Sequence, residues 1–138
     1  NGKKIHPQIN MNNYSVSKEL SQDDNDFLED QEYFSLIKEA MFNAVNKPIG
    51  TAYKSRLPKS PFAGKTGTVQ VRSITEKERE EEIIPNKDLP LEQRDHSLFV
   101  GFAPYDNPKY ALSVVIEHAG SGSKIAAPIA KKIFKRLA

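Results

Sequence analysis

A chain of 138 residues, 38% hydrophobic and 28% charged, has the size and composition of one domain or a large piece of one. A net charge of +2 is too small to argue for nucleic acid or an anionic membrane surface, and the lack of cysteine excludes disulfides and thiolate metal sites. No apolar run reaches the ~18 residues that span a bilayer and no signal peptide is visible. The opening Asn1-Gly2-Lys3-Lys4-Ile5 reads as a turn within a domain, so any anchor is expected upstream.

Residues 1–30 are polar and irregular, with a short extended piece expected at Ile5-His6-Pro7-Gln8-Ile9. Residues 31–47 read as a helix: Phe34, Ile37, Met41, Phe42 and Val45 recur at three- and four-residue steps, and Pro48 and Gly50 end it. Residues 62–72 read as a strand, in which Val69 and Val71 alternate with Gln70 and Arg72. Residues 73–96 are dense in charge and carry two prolines; they are expected to form an exposed excursion with a short charged helix at 75–82, mobile over 73–95. Residues 97–103 and 109–118 are two apolar strands joined by Pro104-Tyr105-Asp106-Asn107-Pro108, which predicts an antiparallel hairpin over 97–118. A turn, Ala119 to Ser123, leads to a final helix over 124–137 whose buried face is expected to be Ile125, Ile129, Ile133, Phe134 and Leu137. Pro128 is tolerable there because the first helical turn has N–H groups without partners. The pattern gives an α/β fold of α+β layers, an antiparallel sheet flanked by helices.

The element richest in chemistry is Ala63-Gly64-Lys65-Thr66-Gly67-Thr68-Val69-Gln70-Val71. Strand alternation separates Lys65 and Gly67 from Thr66 and Thr68. A strand at the rim of a cleft can take an extended peptide as a further strand, and Gly67 removes a side chain where a ligand backbone would approach. Lys65 supplies a positive charge able to activate a neighbouring hydroxyl or hold an anion. The threonine hydroxyls suit a carboxylate, and a strand N–H suits an oxyanion. Gly64-Lys65-Thr66 also looks like the end of a phosphate loop, but Lys59 stands where its first glycine belongs and no helix follows. His6, His96 and His118 are the only imidazoles; Asp95 and His96 with His118 lack metal-ligand spacing on one element, so neither metal nor cofactor is expected. The basic cluster Lys131, Lys132, Lys135 and Arg136 reads as a solvated helix face rather than a nucleic-acid site.

The Lys-Thr-Gly-Thr strand, Leu89-Pro90 with Arg94-Asp95-His96, and the run Leu98-Phe99-Val100-Gly101-Phe102-Ala103-Pro104-Tyr105-Asp106-Asn107-Pro108 carry a resemblance. Val114 to His118, Gly120-Ser121-Gly122 and Ala126-Ala127-Pro128-Ile129-Ala130 extend it. Over about residues 31–138 the chain resembles the C-terminal part of the transpeptidase domain of class B penicillin-binding proteins, and looks most like the penicillin-binding protein 2 group of Gram-negative bacteria. The resemblance implies the penicillin-binding/β-lactamase-like transpeptidase fold, with a five-stranded sheet. It implies that Lys65 meets the serine of a Ser-x-Asn element. Thr66 and Thr68 would hold the carboxylate of a β-lactam or a D-Ala-D-Ala stem peptide, with Gly67 between them, and the Thr68 N–H would help form an oxyanion hole. Elongation-machinery proteins are implied as partners, and the periplasmic face of the inner membrane as the location.

Such enzymes also need a Ser-x-x-Lys nucleophile. Ser15-Val16-Ser17-Lys18 fits that spelling, but it sits in a polar stretch and too close to Lys65. The nucleophile is therefore expected upstream, and the chain is expected to be one wall of an active site, inactive alone. Two other readings stay open: a related serine β-lactamase or D,D-carboxypeptidase, and a non-enzymatic module that binds peptide along the strand.

Overall fold

The computed structural model describes residues 31–74, 76–80 and 84–137. The short extended piece around Pro7 and the Ser15–Lys18 spelling lie outside them. The chain divides into two units, Asn1–Lys38 and Glu39–Ala138. In the first, residues 31–38 are described, as the opening half of helix α1 (Gln31–Asn46). The rest of the description concerns the second unit.

Three strands, β1 (Ala63–Val69), β2 (His96–Ala103) and β3 (Tyr110–Ile116), form an antiparallel sheet in the order β1-β2-β3. Both pairings are in simple register, with Thr66 opposite Phe99 and Phe99 opposite Val114. The resemblance implied five strands; three are present among the described residues. Because β1 pairs only with β2, its outer edge carries no strand among the described residues.

The core lies on one face of the sheet. Directly opposed residues of antiparallel strands point to the same side, so Gly64, Thr66, Thr68, Ser97, Phe99 and Val114 share this face. Helix α3 (Ala126–Leu137) packs on it against β2 and β3. Val45, Phe62, Phe99, Ala126, Ala127, Ala130 and Phe134 are buried together. Phe62 stands edge-on to Phe99 with ring centres 6.1 Å apart, and 5.0 Å from Phe134. Gly64 is required by this packing: a Cβ there would come within 2.1 Å of the Phe99 ring and 2.6 Å of the Val100 carbonyl. The opposite face leaves Val69, Val100 and Val115 about half exposed.

The buried face of α3 differs from the sequence expectation. Ala126, Ala127, Ala130 and Phe134 are buried, Ile129 and Ile133 are half-buried, and Ile125 and Leu137 are exposed. Alanines let the helix axis approach the sheet closely, and that rotates the larger isoleucines toward the flank. On α1, likewise, Val45 is fully buried and Ile37 is exposed.

The charged excursion is more structured in its second half than its composition implied. A short helix, α2 (Glu76–Glu80), is followed by 3-10 turns at Asn86–Asp88 and Leu91–Gln93. The Arg94 guanidinium donates to the carbonyls of Leu89 (2.9 Å) and Lys87 (3.0 Å), the Asp95 N–H donates to Asn86 Oδ1 (2.8 Å), and Leu89 is buried. This local wiring gives residues 84–95 a defined local structure.

Ser97 ties sheet to helix. It is fully buried; its hydroxyl donates to the Ser121 carbonyl and accepts from the Ala126 N–H, both at 3.1 Å. Ser97→Ala would strand the buried Ala126 N–H, while the Ser121 carbonyl keeps its bonds from the Lys124 and Ile125 N–H groups, so it is expected to destabilise the protein by about 1–3 kcal/mol, read as a lowered urea midpoint. A midpoint within error of wild type would contradict this role.

Candidate active-site strand

The sheet edge displays the Lys-Thr-Gly-Thr segment in two directions. Lys65 and Gly67 share the face of Val100 and Leu98, while Thr66 and Thr68 share the face of Phe99 and Ser97. A ligand lying along the edge of β1 therefore meets an ammonium from one side and two hydroxyls from the other. The Lys65 side chain is exposed and its Nζ donates to the Thr66 carbonyl at 2.7 Å. It is folded back along its own strand, within reach of that edge.

Each threonine hydroxyl has one fixed neighbour. Thr66 Oγ1 lies 2.9 Å from Thr51 Oγ1. Thr51 reaches it because the chain leaves α1 through a tight loop, where the Ala52 N–H bonds the Ala44 carbonyl at 2.9 Å. Thr68 Oγ1 accepts from the Gly122 N–H at 3.3 Å. Since that bond uses a lone pair, the Thr68 proton stays available to donate to a carboxylate. Thr68 itself is exposed.

Sequence reasoning gave Gly122 no role at the strand. It stands in the Gly120-Ser121-Gly122 turn, which entered only as part of the resemblance, yet Gly122 lies directly on β1. A Cβ at 122 would stand 2.2 Å from the Gly67 carbonyl oxygen, 2.5 Å from that of Leu98 and 3.0 Å from the Gly67 N. Gly67 itself is less crowded: a Cβ there would meet only Leu98 Cβ, at 3.3 Å. The close backbone approach at this strand is thus made from within the protein, by Gly122.

The turn that carries Gly122 is held by the Arg94-Asp95-His96 block. The Gly120 N–H donates to the Asp95 carbonyl at 2.8 Å. The His118 N–H donates to His96 Nδ1 at 2.9 Å, and His118 Nδ1 lies 3.1 Å from the Arg94 carbonyl. The two rings meet edge-on, 4.7 Å apart. Accepting at Nδ1 places the proton of neutral His96 on Nε2, and donating to a carbonyl places that of His118 on Nδ1. His118 has a φ of 55°, rare for a residue with a side chain, and these two bonds hold it there. The pair acts as a clasp, and no group of three potential metal donors converges among the described residues.

Residues 1–135 match the penicillin binding protein transpeptidase domain. The peptidoglycan D,D-transpeptidase MrdA of Salmonella typhimurium is 39% identical over 107 residues, which are 76% of this chain and 16% of that protein. Among solved structures, the complex between penicillin-binding protein (PBP2) and MreC from Helicobacter pylori is similar with a TM-score of 0.59 and 32% identity, covering 75% of this chain and 16% of that one. Pseudomonas aeruginosa PBP2 in complex with WCK 5153 gives a TM-score of 0.57 and 32% identity, covering 79% and 20%. The chain thus spans less than a fifth of the length of the MrdA relative. With a family match across nearly its whole length, the chain belongs to the penicillin-binding protein transpeptidase domain family.

Proposed function

We propose that this chain is one wall of the active site of a peptidoglycan D,D-transpeptidase of the penicillin-binding protein 2 type. The observation that carries the reading is the edge of β1, unpaired among the described residues, which offers Lys65 on one side and the Thr66 and Thr68 hydroxyls on the other. The D-Ala-D-Ala end of a stem peptide, or a β-lactam, lies along that edge with its carboxylate on Thr66 and Thr68. Gly67 keeps the strand backbone accessible between them. Lys65 faces the incoming serine hydroxyl and its Ser-x-Asn partner, and its charge favours loss of the serine proton. The Thr68 N–H shares the oxyanion of the tetrahedral intermediate with the N–H of the nucleophile.

The serine Oγ attacks the carbonyl of the penultimate D-alanine, its proton passes to the leaving amine, and D-alanine departs. An amine of a neighbouring strand then attacks the acyl-enzyme ester and restores the serine hydroxyl. The nucleophile comes from outside these 138 residues, as the much greater length of the relatives supports. The periplasmic face of the inner membrane is the setting in which this substrate occurs. Elongation-machinery proteins are the proposed partners, supported by the similar Helicobacter pylori structure, in which PBP2 is in complex with MreC.

Fluorescent-penicillin labelling of this chain, beside a form extended upstream and read on a denaturing gel, tests the proposal. Stable label on the long form only is expected. Label on the short chain would place the nucleophile within it, and label that turns over quickly would indicate a β-lactamase. No label on either would favour a peptide-binding module.

A further inference from the structure

A groove of about 530 Å³ opens between the loop that follows α1 and the start of α3. Thr51, Tyr53 and Ser123 line it together with three cations, Lys54, Lys124 and Lys131, and among the described residues no acidic one lines it. Lys54 and Lys124 are exposed, and Lys131 is half-buried. Arg56 stacks 3.9 Å above the Tyr53 ring and donates to the Tyr53 carbonyl at 3.1 Å, which fixes that wall. The groove is continuous with the strand site: Thr51, one of its lining residues, lies 2.9 Å from the Thr66 hydroxyl.

Three ammonium groups around a concave surface, with no carboxylate among them, repel one another and focus a positive potential into the groove. An anion relieves that repulsion. Lysines are mobile point charges, suited to a carboxylate whose position is set elsewhere rather than to a planar bidentate partner. A peptide added to the edge of β1 sends alternate side chains to the face of Thr66. We propose that this groove takes a carboxylate-bearing side arm of the peptide whose terminal carboxylate rests on Thr66 and Thr68. The inference rests on the transpeptidase reading and names a second, acidic determinant of its substrate.

The test compares two peptides ending in D-Ala-D-Ala, identical except that a side-arm carboxylate is a carboxamide in one. Each competes with fluorescent penicillin for the full-length protein that carries this chain. The acidic peptide is expected to compete roughly fivefold better at low salt, a modest preference because exposed ion pairs are individually weak. The ratio is expected to fall to about one in the Lys54→Gln, Lys124→Gln, Lys131→Gln triple variant and in roughly 0.5 M salt. The single Lys54→Gln variant should lower it partly, which keeps the test open if the triple variant fails to fold. Lys135→Gln, outside the groove, should leave the ratio unchanged. Equal competition by both peptides in wild type, or a preference that survives the triple variant, would overturn the proposal. If penicillin labels nothing, the transpeptidase reading fails on its own. Calorimetry with the same acidic side arm on a peptide lacking D-Ala-D-Ala then reads the groove directly: heat that disappears in Lys54→Gln supports it, and no heat overturns it.

Discussion

Replacing Gly122 by alanine is expected to slow acylation by fluorescent penicillin about a hundredfold, with the protein still folded. The new methyl would stand 2.2 Å from the Gly67 carbonyl oxygen and 2.5 Å from that of Leu98. These are backbone atoms of paired strands, so no side-chain rotation relieves the clash. Either the turn lifts away and the bond from the Gly122 N–H to Thr68 Oγ1 is lost, or β1 is pushed outward at Gly67. Both displace the hydroxyl proposed to hold the carboxylate, and a shift near 1 Å in a positioning group is worth about 10²-fold in rate. Ser121→Ala, in the same turn, removes only a hydroxyl contact to Ser123 at 3.0 Å. It is expected to leave the rate within about twofold, since a single part-buried bond between two hydroxyls contributes little and does not touch β1. The check is the second-order labelling rate of the full-length variants, with thermal midpoints measured alongside. A wild-type rate for Gly122→Ala would remove Gly122 from the site.

Phe62→Ala is expected to have the largest effect on stability, a loss of about 3–5 kcal/mol. Phe62 is fully buried just before β1 and touches both the sheet, through Phe99, and α3, through Phe134. Its carbonyl also accepts from the Asn46 side chain at 2.9 Å, which joins the end of α1 to the start of the strand. Truncation leaves a cavity that the flanking alanines of α3 are too small to fill. Phe62→Leu keeps most of the volume and is expected to cost less than about 2 kcal/mol. Urea unfolding of the two variants separates these values. A loss below about 1 kcal/mol for Phe62→Ala would show that the layers are held together elsewhere.

Several site elements are legible from local pattern. The Lys-Thr-Gly-Thr strand announces itself through alternation, and the β2–β3 hairpin through the proline-rich turn from Pro104 to Pro108. What is not legible depends on contacts distant in sequence. Gly122 meets Thr68 across 54 residues, and although Gly120-Ser121-Gly122 takes part in the resemblance, no local pattern there points to contact with β1. The α3 face departs from its periodicity because large apolar residues dominate that kind of argument. In the fold, Ala126, Ala127 and Ala130 face the sheet because a short side chain allows close approach. Arg94, Asp95 and His96 stand out as part of a resemblance, but their hydrogen bonds to the 86–89 loop and to the 118–120 turn need coordinates. Their density of charge conceals a structural clasp.

Mapping the acylated residue by mass spectrometry, after penicillin treatment of the full-length protein, tests the central claim most directly. The expected result is one acylated serine outside residues 1–138, formed more slowly in Lys65→Ala by about 10²-fold or more, the range for loss of a positioned acid–base group. An adduct on Ser15, or on any other serine of this chain, would contradict the claim that Lys65, Thr66 and Thr68 form a wall that serves a nucleophile supplied from elsewhere.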